Sequence, residues 1–491
     1  MIIKTENDFL ESYLKDASNF YGRASVLYIP ENTDELKQAI TDCYAKGLPI
    51  TISGARTGLT GSAVPLNGAV ISTEKLNRII KTDVENETAI LEPGVIISDF
   101  QEELKSNGFF YAPNPTEQNS SIGGNVGTSA SGARTFKYGT TRNFVKRLKL
   151  FLSNGEELNL LREENYEKDG SLTIQTSEGS SYKLPVRDIN MPEVKHAAGY
   201  FVRRNMDAID LFIGSEGTLG VVAEIEVGIV KTPEKVLGGL VFFDNSDNML
   251  RFVDYVRNES IINNKYAYYD NSNIASRLIE YFDNKSLDLL REKFSEIPEN
   301  CAGGIWFEQE YAGKDEDAIL DKWYEIIKKF TEYSDNTWIA MNDSEHKKLS
   351  EFRHELPLQV YELISKYKSI KIGTDSAVPA KYLSEYYHFL KSQLDESGLL
   401  YFLWGHIGNT HFHANILSKN DSELFKAKEI YKNCIGRALE LGGTVSAEHG
   451  IGKMKKEYLL QMYGEGVINY MKQVKNILDK DNILGKGNLF D

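Results

Sequence analysis

The 491-residue chain lacks the features that would place it outside the cell or across a membrane. Its three cysteines, Cys43, Cys301 and Cys434, lie far apart and form no CxxC pair, which argues against a disulfide framework or an iron–sulfur cluster. No apolar run is long enough to span a bilayer, and the stretch from Met1 to Asp8 is too polar for a signal peptide. These absences predict a reducing, cytoplasmic setting. Peripheral attachment at the inner face of a membrane stays open.

Positive charge is also in short supply. The sequence holds 56 basic and 71 acidic residues, which gives a formal net charge of −15. Nucleic acids and anionic membranes are bound through basic patches, so neither is expected as the main partner. The composition is globular, with 41% hydrophobic residues and only 12 prolines, and the length predicts two or three domains.

The first part of the chain, residues 1–233, alternates short apolar runs with glycine-rich turns. Its periodicity predicts an amphipathic helix from Asp34 to Lys46 and a strand from Leu48 to Ile52. Ser153-Asn154-Gly155 predicts the turn of a hairpin. The polar residues from about 162 to 188 predict an exposed insertion.

Beyond Lys231-Thr232-Pro233-Glu234 the pattern changes. Strands such as Leu237–Phe243 alternate with predicted helices at 317–330 and 380–394, which indicates a separate α+β domain over residues 234–443. A last segment, 444–491, begins with Thr444.

Two glycine-rich loops are candidates for holding phosphate. Glycine adopts positive φ and lets the backbone N–H groups approach phosphate oxygens closely. The first loop, Ser53 to Gly61, follows a strand but lacks GxGxxG and the lysine of a P-loop, so by itself it is equally consistent with a plain turn. The second, Ser121 to Gly132, keeps small residues almost throughout. That composition suits a bulky ligand lying on the backbone.

Histidine is scarce as well, yet four of the eight histidines lie in two short motifs. The stretch from Gly405 to Asn415 contains His406, His411 and His413, and Glu448-His449-Gly450 follows downstream. On a β-strand the alternation places the last two of these three histidines on one face and the apolar residues between them on the other. Imidazole and carboxylate are ligands of divalent transition metals, so the pattern predicts a metal site. The alternative is a set of ordinary surface or hydrogen-bonded core histidines.

A family resemblance rests on seven segments in order. They are Ser53–Pro65, Glu92-Pro93-Gly94, Asn114-Pro115-Thr116, Ile122–Asn125, Lys137-Tyr138-Gly139, Gly199-Tyr200 and Gly214–Gly220. Together they resemble the PCMH-type FAD-binding domain of the vanillyl-alcohol oxidase superfamily, and the C-terminal half resembles the FAD-linked oxidase C-terminal domain. Within the superfamily the chain looks most like D-lactate, glycolate and D-2-hydroxyglutarate dehydrogenases.

The resemblance implies an α+β fold in which successive parts of the chain form separate domains. Residues 1–233 would form a two-subdomain FAD-binding domain, and residues 234–443 a substrate or cap domain with an antiparallel sheet. Residues 444–491 would return to the flavin domain and complete the active site.

The resemblance also implies an FAD cofactor. Both glycine-rich loops would wrap its pyrophosphate, and further residues would lie along the ribityl chain and the isoalloxazine or near the adenine. Relatives with covalent flavin often carry a histidine in the first loop, which this chain lacks, so the FAD is expected to be non-covalent. The implied FAD-binding residues are Ser53, Gly54, Ala55, Arg56, Thr57, Gly58, Leu59, Thr60, Pro115, Thr116, Ser121, Ile122, Gly124, Asn125, Gly127, Ser129, Gly132, Glu216, Gly220 and Val221.

The histidine motifs resemble the GHxGDGNxH and EHGxG signatures of metal-dependent relatives. By that resemblance His406, His413 and Glu448 would hold a divalent metal such as Zn, Mn or Fe. Asn409-Thr410-His411 stands where Asp-Gly-Asn is usual, which leaves the subfamily open. His411 is interpreted either as an extra ligand or as a substrate contact.

The implied reaction converts a D-2-hydroxy acid to the 2-oxo acid by hydride transfer to flavin N5, with the metal lowering the pKa of the hydroxyl. His449 is the candidate general base, or else a residue that orients Glu448. Asn415 would hydrogen-bond the substrate. Arg353 would pair with its carboxylate unless it is a surface arginine, and Lys371 is a weaker candidate for a substrate contact.

D-lactate is the expected substrate, with D-2-hydroxyglutarate and glycolate as alternatives. No cysteine relay is present, so the expected electron acceptor is a quinone, a cytochrome or an electron-transfer flavoprotein, with molecular oxygen left open; a homodimer is one option for the assembly. Two other classes compete with this hypothesis. They are a non-redox flavoenzyme resembling the ether-lipid synthases, and a flavin-binding protein without turnover.

Overall fold

Three larger β-sheets organise the protein. The computed structural model describes residues 1–265, 273–313 and 316–491. The first sheet has the strand order β1-β2-β4-β3 and the second the order β5-β6-β12-β8-β9. The strands that build this half are β1 (Ile2–Lys4), β2 (Val26–Ile29), β3 (Ile50–Ser53), β4 (Ala69–Ser72), β5 (Ile79–Asp83), β6 (Thr88–Leu91), β7 (Phe109–Phe110), β8 (Val145–Phe151), β9 (Glu157–Leu161), β10 (Ser171–Gln175), β11 (Ser181–Pro185), β12 (Val221–Gly228) and β13 (Val230–Lys231).

The third sheet belongs to the second half and is antiparallel, with the order β17-β14-β16-β15-β20-β21-β18. Its strands are β14 (Lys235–Phe243), β15 (Ser276–Asp283), β16 (Gly303–Tyr311), β17 (Trp338–Ala340), β18 (Ile370–Gly373), β19 (Ser376–Ala377), β20 (Leu400–Gly405) and β21 (His411–Ser418), and β19 pairs with β21 off the main path. The mixture of sheets and helices confirms the predicted α+β class.

Helices α1 to α7 belong to the first half of the chain and helices α8 to α14 to the second. The described α-helices are α1 (Asn7–Leu10), α2 (Thr33–Ala45), α3 (Ile97–Ser106), α4 (Ile122–Thr128), α5 (Thr135–Tyr138), α6 (Thr141–Phe144), α7 (Ala208–Phe212), α8 (Ser246–Lys265), α9 (Asn284–Leu290), α10 (Glu316–Ile327), α11 (Asp343–Tyr367), α12 (Leu383–Ser397), α13 (Asp421–Glu440) and α14 (Lys456–Leu478). Among the described residues, no helix is both long and apolar enough to cross a bilayer.

Local sequence explains helix α2, and strand β3 beside it leads into the first glycine loop. The Asn32 side chain accepts the N–H of Glu35 and so caps the helix, whose buried face includes Leu36, Ile40 and Cys43. This confirms the amphipathic helix predicted at residues 34–46. The neighbouring strands β2, β3 and β4 pair in parallel, and β3 ends at Ser53, where the first glycine loop begins.

The hairpin predicted at Ser153-Asn154-Gly155 is present between β8 and β9, which pair antiparallel with Phe151 opposite Glu157. Gly155 adopts a φ of 84°, a left-handed conformation that glycine reaches without strain. The predicted helix at 317–330 lies at Glu316–Ile327, and the one at 380–394 begins with a 3₁₀ turn before α12.

The structure corrects the prediction of an exposed insertion at residues 162–188. This stretch contains β10 and β11, which pair antiparallel, and their alternate residues Leu172, Ile174 and Leu184 are buried in the hydrophobic core of the first half. The polar residues that dominate the composition occupy the outward face. Composition averages over the two faces of a strand, so it concealed the buried face.

The C-terminal segment packs on the first half of the chain. Ile50 at the start of β3 donates its N–H to Ile483 O at 2.6 Å, and Gly485 N donates to Ile50 O at 2.9 Å. The apolar face of α14, including Met471 and Val474, joins the same core as the β10–β11 hairpin. The C-terminal segment therefore pairs with β3, the strand that leads into the first glycine loop.

Candidate functional site

A cavity lies between the two glycine loops, and we refer to it as the glycine-loop cavity. Its wall comes from both loops, from the turn before β12 and from the C-terminal segment through Gly485 and Asn488. The implied FAD-binding residues that line it are Gly54, Ala55, Arg56, Thr57, Gly58, Ser121, Gly124, Asn125, Gly127, Glu216, Gly220 and Val221.

Two polar atoms in this wall are available to a ligand. Ser120 Oγ and Asn125 Nδ2 are buried and have no hydrogen-bond partner among the described residues. A Cβ added at Gly127 would meet no described atom within 4 Å, so the space beside this glycine is open. Buried donors without partners are costly, and an oxygen-rich group such as a diphosphate would satisfy them. The cavity therefore fits the diphosphate part of FAD.

Other implied FAD residues lie elsewhere. Ile122 is buried in the core with its N–H bonded to Val95 O at 2.8 Å, and Gly132 packs against the carbonyl of Asn114. Ser53, Leu59, Thr60 and Ser129 do not line the cavity either, whereas Pro115 and Thr116 line a second cleft.

Glu216 has a contact that the sequence did not suggest. Its carboxylate accepts the N–H of Ile451 at 2.7 Å and of Gly452 at 2.8 Å, although the residue also lines the cavity. Thr60 contacts the same loop, since its hydroxyl donates to His449 O at 3.2 Å. Both residues of the first half thus hold the loop that carries Glu448 and His449.

The predicted metal ligands come together in one group. His406, His411, His413 and Glu448, which we call the histidine cluster, offer ligand atoms that all lie within 4.8 Å of one another. His406 Nε2 lies 3.2 Å from Glu448 Oε1, and His413 Nε2 lies 3.7 Å from Glu448 Oε2. Strand β21 supplies two of the imidazoles from one face, as the alternation predicted, and His406 follows the end of β20.

The charges of the histidine cluster are set by its surroundings. Burial alone would raise the pKa of Glu448, but His406 and Lys195 outweigh burial and hold this pKa well below its usual value. Burial lowers the pKa of His406, yet Glu280 and Glu448 more than compensate and raise it. Burial and the neighbouring His413 lower the pKa of His411 well below its usual value, so its ring is neutral at neutral pH. An ionised carboxylate beside imidazoles is a suitable donor set for a divalent transition ion.

The sequence analysis missed Asp375, which anchors the loop of Glu448 and His449. Its fully buried carboxylate accepts the backbone N–H groups of Glu448 and His449, each at 3.1 Å. Ser446 Oγ donates to it at 2.7 Å and Lys455 Nζ at 2.8 Å. Burial would raise the pKa of Asp375, but His449 and Lys455 outweigh it and hold that pKa well below normal. The available signal was an aspartate set between the apolar residues of β18 and β19.

Two residues of the first half also reach the histidine cluster, and the sequence analysis assigned neither of them to it. The buried Lys195 ammonium forms an ion pair with Glu448 Oε1, and Ser131 Oγ donates to the same oxygen at 3.1 Å. Ser131 belongs to the second glycine loop. The carboxylate of the histidine cluster therefore touches the half of the chain that contains the glycine-loop cavity.

His449 lies on the edge of the histidine cluster. Its Nδ1 is 3.3 Å from Asp375 Oδ2, and its ring stacks near that of His413 with centroids 5.5 Å apart. Burial is the main cause that lowers the pKa of His449 to about 4, so the ring is neutral at neutral pH. A neutral imidazole can accept a proton.

Arg353 lies in α11 and lines a second cleft of about 1010 Å³ together with Pro115 and Thr116. Its Nε is 3.5 Å from Glu280 Oε2, and its Nη1 has no hydrogen-bond partner in the described part of the chain. Glu280 also contacts His406, whose Nδ1 lies 2.6 Å from its Oε1. Arg353 is thus buried and linked to the histidine cluster through one carboxylate, and the surface alternative is excluded.

Two weaker candidates lie on β21 and its neighbour. Asn415 donates its Nδ2 hydrogen to His413 O at 3.0 Å and sits opposite Gly373 of β18. Lys371 pairs with Leu417 two residues farther along, and its Nζ lies 5.5 Å from the ring centre of Tyr361. Burial lowers the pKa of Lys371.

Comparison with known proteins places the chain in a class of FAD-linked oxidoreductases and gives its family. The FAD binding domain model matches residues 24–161, and the model of the FAD linked oxidases, C-terminal domain, matches residues 233–489. The chain belongs to the FAD-linked oxidases, as the resemblance predicted.

Relatives along nearly the whole chain agree with this membership. The chain is 28% identical to the glycolate oxidase subunit GlcD of Bacillus subtilis, covering 97% of this chain and 92% of the relative. It is 27% identical to a D-lactate dehydrogenase of Anaerostipes hadrus, with 98% and 92% coverage. It is also 27% identical to a D-2-hydroxyglutarate dehydrogenase of Stutzerimonas stutzeri, with 99% and 96% coverage. These relatives support an FAD-linked oxidoreductase of small 2-hydroxy acids.

A solved structure shares the fold. An alkyldihydroxyacetonephosphate synthase superposes with a TM-score of 0.67 over 98% of this chain and 82% of that one, at 13% identity. At this level of identity the likeness concerns the fold alone.

Proposed function

We propose that this protein oxidises a D-2-hydroxy acid to the 2-oxo acid with FAD as the hydride acceptor and with the assistance of a divalent metal. D-lactate is the first candidate substrate, followed by D-2-hydroxyglutarate and glycolate. The observation that carries the proposal is the histidine cluster, in which His406 and His411 are buried and Glu448 contacts Ser131 of the second glycine loop.

Each cofactor has a set of residues suited to it. The glycine-loop cavity would hold the FAD diphosphate non-covalently, and FAD supplies the acceptor for the hydride from Cα. His406, His413 and Glu448 would hold a Zn, Mn or Fe ion, which would lower the pKa of the substrate hydroxyl and help to orient the acid.

The side chains around the histidine cluster have separable tasks. Asp375 would accept the Nδ1 hydrogen of His449 at 3.3 Å, which fixes the tautomer whose Nε2 is free to take the hydroxyl proton. Arg353, whose Nη1 has no hydrogen-bond partner among the described residues, would bind the substrate carboxylate. Asn415 would hydrogen-bond the substrate from β21, although its amide already donates to His413 O.

The electron acceptor is proposed to be a quinone, a cytochrome or an electron-transfer flavoprotein, because the three cysteines are buried and widely spaced and offer no relay. We place the protein in the cytoplasm or at the inner face of the membrane. The fold is also that of a synthase, but the intact histidine cluster favours hydroxy-acid oxidation over a non-redox role.

An anaerobic reduction experiment tests the function. Purified FAD-loaded protein is mixed with a panel of D- and L-2-hydroxy acids, and flavin absorbance is followed. Bleaching by at least one D-acid and not by its L-enantiomer is expected. If no acid bleaches the flavin, the dehydrogenase proposal is wrong.

Chelation tests the metal separately. Treatment with EDTA followed by desalting should abolish bleaching by the active acid, and a divalent ion should restore it. An unchanged rate after verified removal of metal would exclude metal assistance and leave the redox function in place.

A further inference from the structure

His411 is a buried histidine with one ring nitrogen, Nδ1, that has no hydrogen-bond partner among the described residues. The residue is 0% exposed, and its other ring nitrogen, Nε2, lies 3.2 Å from Asp375 Oδ1. A buried polar group without a partner loses its hydration and gains nothing in return, at a cost of about 1–3 kcal/mol. Such an atom indicates a ligand that completes it.

The position of His411 indicates what that ligand is. One of its ring nitrogens falls within the 4.8 Å that encloses the ligand atoms of His406, His413 and Glu448. Its ring centre is 4.2 Å from that of His413 and 5.4 Å from that of His406. Ligands that share one divalent ion at metal–ligand distances of about 2.0–2.2 Å lie no more than about 4.4 Å apart. The 4.8 Å that encloses the four ligand atoms is slightly wider than this, and a small rotation of the side chains would bring them to one ion.

Asp375 is the competing partner, since its Oδ1 lies 3.2 Å from His411 Nε2. That oxygen already accepts the N–H of Glu448, and the other oxygen accepts the N–H of His449 along with the Ser446 and Lys455 donors. Because Oδ1 accepts only the N–H of Glu448 among the described hydrogen bonds, it keeps a lone pair for a hydrogen on His411 Nε2. Asp375 can orient the ring of His411, and the other ring nitrogen is then left for the ion.

We propose that His411 is a fourth protein ligand, so that the ion is held by three imidazoles and one carboxylate. Four protein ligands would close a tetrahedral zinc site and leave no position for a substrate. The donor set therefore favours an ion that accepts six ligands, such as Mn²⁺ or Fe²⁺, at which two positions remain for a chelating molecule. Only the identity of that molecule, a 2-hydroxy acid bound through hydroxyl and carboxylate, rests on the proposed function.

The test measures metal binding without any substrate. FAD-loaded wild type, His411→Asn and His411→Gln are stripped of metal, and the affinity for Mn²⁺ and for Zn²⁺ is determined by titration calorimetry. His411→Asn should weaken binding at least about tenfold, since even partners outside the ligand shell contribute about 10- to 100-fold. The matched control is His388→Asn, at an exposed histidine on α12 paired with Asp247, which should bind like wild type.

X-ray absorption on the wild-type protein loaded with Mn²⁺ keeps the proposal testable if the variants do not fold. Scattering from three imidazoles supports the proposal, and scattering from two overturns it. Unchanged affinity in a folded His411→Asn protein overturns it as well and assigns His411 a structural role beside Asp375. Because no hydroxy acid is present, these outcomes do not depend on the bleaching experiment, and either proposal can fail alone.

Discussion

The glycine-loop cavity and the histidine cluster lie close together yet bind by opposite means. The cavity is lined mostly by glycine and other small residues, and its available groups are a few polar atoms such as Asn125 Nδ2. The histidine cluster consists of charged and ionisable side chains, of which His406 is held by Glu280 and Glu448 by Lys195. A large flat cofactor needs backbone space, whereas an ion and a reacting proton need side chains fixed in place.

This difference makes the two regions separable by mutation. Changes in the histidine cluster should abolish chemistry and leave the flavin bound. Changes in the cavity should weaken the flavin and leave the ion bound.

The largest effect on turnover is expected from His413→Ala. If the proposed ion is present, loss of a ligand would remove it together with several kcal/mol of transition-state stabilisation, which corresponds to a fall in kcat of about 1000-fold. The FAD content, measured by absorbance of the purified protein, should stay at the wild-type level because the cavity is untouched. Loss of the yellow colour together with activity would show that the two regions are not separable. His388→Ala serves as the surface control.

Asp375→Asn should have the next largest effect. The amide keeps the shape but can no longer accept every donor around it, so the loop of Glu448 and His449 loses its anchor. We expect kcat to fall about 10- to 100-fold, the range for supporting partners of metal ligands, with a smaller change in KM. Steady-state kinetics with the active acid measures both. Asp247→Asn is the control, since this aspartate pairs only with the exposed His388 among the described ion pairs. A wild-type kcat in folded Asp375→Asn would remove Asp375 from the mechanism.

Gly127→Leu tests whether the glycine-loop cavity binds FAD independently of the histidine cluster. The added side chain meets no described atom near its Cβ, so the fold should tolerate it, but the chain would occupy ligand space. FAD affinity should drop about tenfold, which is about 1.4 kcal/mol, while kcat at saturating FAD and the affinity for Mn²⁺ stay near wild type. Fluorescence titration of FAD into apoprotein measures the first quantity. Gly436→Leu, in α13 and likewise without a neighbour within 4 Å in the described chain, is the matched control.

The smallest effect on turnover is expected from Leu172→Ala in the β10–β11 hairpin. The residue is 1% exposed and lies in the hydrophobic core of the first half. Its truncation should lower the free energy of unfolding by about 2–5 kcal/mol and leave kcat unchanged at 25 °C. Urea unfolding is the measurement, with the exposed Leu161→Ala as the control, for which little change is expected. A stability equal to wild type would restore the original prediction of an exposed insertion.

Local sequence patterns were enough to predict several helices, strands and turns. The helix α2, the hairpin around Gly155 and the strand β21 follow from spacings of about 3.6 and 2 residues and from turn chemistry within a few positions. The insertion at 162–188 was misjudged because a two-faced hairpin has a polar average composition.

The candidate site divides in the same way. Both glycine loops and the pair of histidine motifs are continuous in sequence, so their residue types could be read directly. Asp375, Lys195 and Glu280 could not, because each is a single charged residue in an unremarkable stretch, and its importance depends on a partner between 73 and 253 positions away.

By itself, the sequence determined which residue types are available: loops rich in glycine and small side chains for a cofactor, and imidazoles on one face of a strand for an ion. Tertiary structure alone decided how they are used. In the folded chain, Nδ1 of the buried His411 has no hydrogen-bond partner among the described residues, Asp375 accepts the backbone N–H groups of Glu448 and His449, and Ser131 of the second glycine loop donates to Glu448. The physical reason is that burial and a neighbouring charge set the ionisation and the free lone pairs of a side chain, and both are properties of the folded chain.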